Sequence, residues 1–195
     1  MSSSEIDNSK KVTVHHYNGS LKYKGQMLKG KYHGKGSLYF DGYHFIGHFT
    51  NGKIDNGALI KNSKNKKIII YFKDNIGTHY VNNKKRFVGK IDIIGKTGRK
   101  LKIKYIKGRL YYKNGKTKYY GNFYYENELK NFNKYNGYGK LYYKNGKLKY
   151  KGNFYNNKYH GVGKLYYKSG ILKGVYRFNK GKIDKSDTAD IIEYE

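Results

Sequence analysis

Lys140-Leu141-Tyr142-Tyr143-Lys144-Asn145-Gly146 returns as Lys164-Leu165-Tyr166-Tyr167-Lys168-Ser169-Gly170, and as Arg109-Leu110-Tyr111-Tyr112-Lys113-Asn114-Gly115. A chain that reuses one short strand-and-turn unit is a repeat protein. Each unit of such an array packs mainly on its neighbours, so a recurring residue reads first as structural.

The residues around these units alternate. After Asn145-Gly146, Leu148, Tyr150, Gly152 and Phe154 share one face, and Lys149, Lys151, Asn153 and Tyr155 share the other. Leu21, Tyr23, Gly25 and Met27 stand in the same way against Lys22, Lys24, Gln26 and Leu28. On the return strand Gly161, Gly163, Leu165 and Tyr167 oppose Val162, Lys164, Tyr166 and Lys168. A period of two is the signature of a half-buried strand. Asn18-Gly19, Asp41-Gly42, Asn114-Gly115, Asn145-Gly146 and Ser169-Gly170 read as hairpin turns with positive φ at both central residues. Glycine within a strand marks a close approach to the backbone, here expected from an aromatic ring of the adjacent unit.

Tyr23-Lys24-Gly25, Tyr32-His33-Gly34-Lys35-Gly36 and Leu38-Tyr39-Phe40 together resemble the MORN repeat. So do Tyr150-Lys151-Gly152-Asn153-Phe154, Tyr159-His160-Gly161-Val162-Gly163 and Leu165-Tyr166-Tyr167. A third copy runs from Tyr120-Gly121 to Tyr138-Gly139, with an insertion near Glu126 to Lys134. Degraded copies begin at Phe45-Ile46-Gly47 and Phe87-Val88-Gly89, and the sharp matches are 18–42 and 140–174. The resemblance implies an all-β fold, an elongated twisted antiparallel sheet of consecutive hairpins, closed by a short C-terminal helix in many such arrays. Gly25, Gly36, Gly121, Gly139, Gly152 and Gly163 are then structural repeat positions. The expected organisation is a disordered 1–11, one array over 12–185 with a degenerate middle at 61–107, and an acidic tail or short helix at 186–195. Ile68 to Phe72 reads as a strand in that middle.

Composition narrows the function. Lys and Arg total 42 against 13 Asp and Glu, a formal charge of +29. Such a charge opposes compaction and attracts polyanions. An A+T-rich genome also encodes Lys, Asn, Ile, Tyr and Phe readily, so base composition accounts for part of the excess. Cysteine is absent, which removes disulfides and thiolate metal sites. Proline is absent too, in keeping with an uninterrupted ladder. No apolar run approaches the ~20 residues of a membrane span, and Met1 to Lys11 lacks an apolar signal segment. The expected location is intracellular, soluble or peripheral at a membrane. The base-composition bias also suits a viral protein carried in a virion.

Catalysis needs groups that do not recur with the repeat. His33 and His160 occupy equivalent repeat positions, and no Cys or carboxylate pair accompanies the histidines at ligand spacing. Gly34-Lys35-Gly36 lacks the rest of a phosphate loop. Gly-Lys-Ile-Asp occurs at 52–55, 89–92 and 181–184, and the first and last copies fall at matching repeat positions after a turn. The expectation is a non-enzyme with no metal, cofactor or small-molecule substrate.

The lysine-and-tyrosine face is the candidate site: Lys22, Lys24, Lys140, Lys144, Lys149, Lys151, Lys164 and Lys168, with Tyr142, Tyr155 and Tyr166 between them. Lysines neutralise phosphates without reading sequence, and tyrosines stack on unpaired bases. The chain's four arginines leave little for bidentate reading of guanine. The bland reading is that these lysines guard the sheet against aggregation. The expected partner is anionic: nucleic acid first, then an acidic protein in a scaffolding role, then an anionic phospholipid surface, which the family resemblance also implies. Terminal strands leave an edge for homo-oligomers.

Overall fold

The computed structural model describes residues 9–40, 42–94, 102–124, 134–184 and 192–193. The fold is all-β, built of consecutive antiparallel hairpins, and holds no helix among the described residues. The chain divides into two compact units, one of residues 1–83 with 95–101, the other of 84–94 with 102–195.

Unit 1 holds β1 (Lys10–His15), β2 (Leu21–Leu28), β3 (Lys31–Phe40), β4 (Tyr43–Thr50), β5 (Lys53–Ser63), β6 (Lys66–Lys73) and β7 (Ile76–Val81). Each pairs antiparallel with the next. Unit 2 holds β8 (Lys84–Ile94), β9 (Lys102–Tyr111), β10 (Thr117–Tyr124), β11 (Lys134–Tyr142), β12 (Leu148–Tyr155), β13 (Lys158–Tyr166), β14 (Leu172–Asn179), β15 (Lys182–Ile183) and β16 (Ile192–Glu193). These also pair in chain order, except that β15 and β16 both pair with β14. Lys10 and Lys11, expected with the N-terminal segment, begin β1. The insertion at 126–134 lies almost wholly outside the described residues, as does most of the expected tail. Its described part, Ile192–Glu193, is strand rather than helix.

One face of each sheet carries the core. In unit 1 Tyr23, Phe45, Phe49, Leu59 and Ile70 are fully buried, and in unit 2 Phe87, Tyr119 and Tyr150 are. Along the centre of each sheet runs a row of glycines facing one another across strands. Gly25, Gly36, Gly47 and Gly57 form it in unit 1. Gly89, Gly108, Gly121, Gly139, Gly152 and Gly163 form it in unit 2. The row exists because a ring lies on it. Tyr150 covers Gly152 and Gly163, Tyr119 covers Gly121 and Gly139, and Tyr23 covers Gly25 and Gly36. This corrects the expectation of a ring from the adjacent unit: the covering ring comes from the same hairpin, two residues before the first glycine. Its hydroxyl donates to the carbonyl three residues on, Tyr23 to Gln26 at 2.6 Å and Tyr119 to Asn122 at 2.9 Å. Neighbouring hairpins then interlock edge to face, as Tyr119 does with Phe154 and Tyr150 with Phe178.

The turns differ from the sequence reading. Tyr112 N–H donates to Lys116 O, and Gly115 N–H to Tyr112 O. This is a three-residue loop with only the glycine left-handed, at φ +81°. The loops at 143–147 and 167–171 repeat it. Asn114 and Asn145 keep negative φ because their Oδ1 atoms accept the N–H of Lys116 and Lys147. Two-residue turns with both residues left-handed occur at the other ends of the strands, as at Asn156-Asn157 and Lys29-Gly30.

The three-residue loops of unit 2 also hold one another. Asn114 Nδ2 donates to Lys144 O and Lys116 Nζ to Asn145 O. Asn145 Nδ2 donates to Lys168 O and Lys147 Nζ to Ser169 O. Tyr112 and Tyr143 donate to the carbonyls of Tyr142 and Tyr166. In the last of these loops Ser169 and Ile171 replace the Asn and Lys donors, and among the described residues no further loop of this kind follows to receive them.

Candidate anion-binding face

A residue beside a row glycine points to the opposite face, because side chains alternate along a strand. In unit 2 this places one cross-strand row on the outer side: Val88, Arg109, Tyr120, Lys140, Lys151, Lys164, Val175. Adjacent strands lie about 4.8 Å apart. Lys140, Lys151 and Lys164 are therefore directly opposite one another on three successive strands. Like charges so placed repel and destabilise a sheet. Lys140 and Lys151 are half-buried, and Lys164 is exposed.

Rings surround this row. Tyr120 is 41% exposed, Tyr138 53% and Tyr155 49%. Arg109 stands 5.7 Å from the Tyr120 ring. Tyr138 pairs with Asn153, and Arg177 with Val162, on the neighbouring outer row. Sequence reasoning named Tyr155 but missed Tyr120, Tyr138 and Arg109. The signal was present: each occupies an outward position once its strand is aligned on the glycine row.

The other expected residues fall elsewhere. Tyr142 and Tyr166 are half-buried beside bulges at the loop end of their strands. Lys144 and Lys168 lie in the loops, where their carbonyls serve the loop ladder. Lys149 stands 5.5 Å from the Tyr143 ring. Lys22 and Lys24 belong to β2 of unit 1. There the equivalent outer row reads Thr13, Lys24, Ser37, Ile46, Ala58, Tyr71, Thr78 and holds one cation.

Among the described residues the inner side buries no charged side chain. Burial pushes the phenols of Tyr150 and Tyr159 up to about 12, and those of Tyr105, Tyr119 and Tyr135 up as well. On the outer side of unit 1, burial lowers the pKa of His44, which stacks on Tyr39. In unit 1 His48 Nδ1 lies 3.5 Å from Asp55. Beside it is a depression of about 470 Å³ lined by Lys35, Ser37, Ile46, His48 and Asn56. Among the described residues no three His, Cys, Asp or Glu converge to hold a metal ion. No helix among them is long and apolar enough to cross a membrane.

The family model of the MORN repeat matches residues 23–43, 131–147 and 150–171. These segments take in most of β2 with all of β3, β11 with its loop, and most of β12 with β13 and the loop after it. No curated protein matches the chain.

Proposed function

Since the chain is a MORN-repeat protein and thus a repeat scaffold, we propose that it is a non-catalytic one whose unit 2 docks single-stranded nucleic acid on its outer face, without sequence specificity. The observation that carries this is the row Lys140, Lys151, Lys164. Three like charges held directly opposite cost the sheet stability, and a polyanion lying along the row relieves that repulsion. Each lysine releases counterions from a phosphate. Tyr120, Tyr138 and Tyr155 offer exposed ring faces within the same surface, and a stacked base contributes about 1–3 kcal/mol. Bases within a duplex have no free face to offer, so single strands are preferred.

A scaffold for a protein partner is the second reading. It is favoured by the outer row of unit 1, where Ile46 and Tyr71 are exposed and lysine is scarce.

The test is a salt titration against an oligo-dT strand, a duplex and anionic phosphatidylserine vesicles. The proposal requires tightest binding to the strand and a steep loss of affinity with salt. Equal binding of strand and duplex removes the role of the tyrosines. Preference for vesicles at matched charge, or indifference to all three, overturns the proposal.

A further inference from the structure

The first strand of its sheet, β1, has one paired edge, towards β2. Among the described residues no strand lies on its other edge. The corresponding edge of β14 is covered. It carries β15 at Phe178 and Asn179, and β16 at Gly174 and Val175. The strand β16 is Ile192–Glu193, and the sequence Ile192-Glu193-Tyr194-Glu195 alternates apolar and acidic residues. Residues 186–195 hold four acids and no Lys or Arg. The molecule thus already adds a short strand of this acidic segment, Ile192–Glu193, to one edge of a basic sheet.

A bare edge offers unpaired N–H and C=O groups to an incoming strand. Which strand fits β1 follows from its two sides. Val12 and Val14 are half-buried and pair with Gly25 and Tyr23 of the core face. Lys11 and Thr13 point the other way and are exposed, with Lys24 opposite Thr13. Lys10 and Lys11 set two β1 edges against each other by charge, which disfavours a second copy.

We propose that the β1 edge takes an extended acidic segment of a partner protein, with apolar residues against Val12 and Val14 and Asp or Glu between them against Lys11 and Lys24. This partner is distinct from the polyanion of unit 2, because it requires a peptide backbone and an apolar side.

The probe is a labelled peptide of the chain's own residues 186–195, added to the full chain, with hydrogen exchange as the readout. The peptide should protect the amides of Val12 to His15. Lys10→Glu with Lys11→Glu should weaken it at least tenfold while leaving oligo-dT affinity within twofold, so that failure here and failure of the nucleic-acid reading are separable. Three results overturn the proposal: protection confined to Leu172 to Asn179, equal binding of a peptide whose acids are replaced by Asn and Gln, or protection of β1 by dimerisation without peptide.

Discussion

Tyr150 lies flat across Gly152, so that a methyl group on that glycine would come within 2.5 Å of the tyrosine hydroxyl oxygen and 2.8 Å of Gly163 Cα. The same hydroxyl donates to Asn153 O at 3.0 Å. The ring stacks on Tyr159 at 3.9 Å between centroids. One side chain therefore sets the glycine row, fixes the strand beyond it and packs on the return strand of its own hairpin.

Gly152→Ala should destabilise the protein by about 1–3 kcal/mol, because the added carbon overpacks a ring with no room to move. Tyr150→Phe should cost only about 1 kcal/mol, the net worth of one hydrogen bond. Phe45 and Phe87, which cover their own glycine pairs without a hydroxyl, show that the ring suffices. Urea midpoints of the two variants check the order. A Gly152→Ala protein as stable as the parent would contradict the account of the row.

The loop ladder predicts an asymmetry between equivalent positions. Asn145→Ala removes the bonds to Lys168 O and from Lys147 N, at 2.9 and 3.0 Å. It should cost about 1 kcal/mol. Ser169→Asn restores the repeat residue where the described residues hold no further loop of this kind, and should change stability by less than ~0.5 kcal/mol. A clear gain from Ser169→Asn would mean that the asparagine acts within its own loop alone.

Much of this was legible in the sequence, for a physical reason. The Tyr-x-Gly spacing and the alternation around it are local, so hairpins and their two faces follow from residues within one unit. What was not legible depends on register. Bulges between Gly152 and Asn153, and between Leu141 and Tyr142, shift the pairing by two residues and by one. Tyr142 and Tyr166 thus sit half-buried beside bulges rather than among the lysines. The Asn-Gly pairs promised two-residue turns, but the asparagine amide has a better use accepting the N–H two residues on. The middle of the chain read poorly in part because Phe87 stands there in place of tyrosine, while the glycine pairing of Gly89 with Gly108 survives.

Alkaline pH should unfold the protein through its buried phenols. Tyr150 and Tyr159 ionise near 10 when unfolded and at about 12 when folded, chiefly because burial penalises the phenolate. Raised folded values mean that this stability is complete below pH 10 and lost as pH climbs from 10 through 12. Lysine neutralisation over the same range relieves repulsion and acts in the opposite sense, so the scan belongs in high salt. Tyrosinate absorbance and circular dichroism should change together above pH 10. A gradual absorbance rise with the β signal intact through pH 12 would contradict it.

Binding and stability should trade against each other at the lysine row. Replacing Lys140, Lys151 and Lys164 by Gln removes the repulsion between directly opposed charges. The triple variant should be more stable than the parent at low salt, and the gain should vanish at high salt as screening removes what the substitution removed. Its affinity for oligo-dT should fall, and the slope of log affinity against log salt should flatten by roughly 2, from ~0.7 per lysine on a single strand. The two readouts address one surface by independent routes. A variant that gains stability but binds as before would leave the row as a mere cost of composition and move the partner to another face.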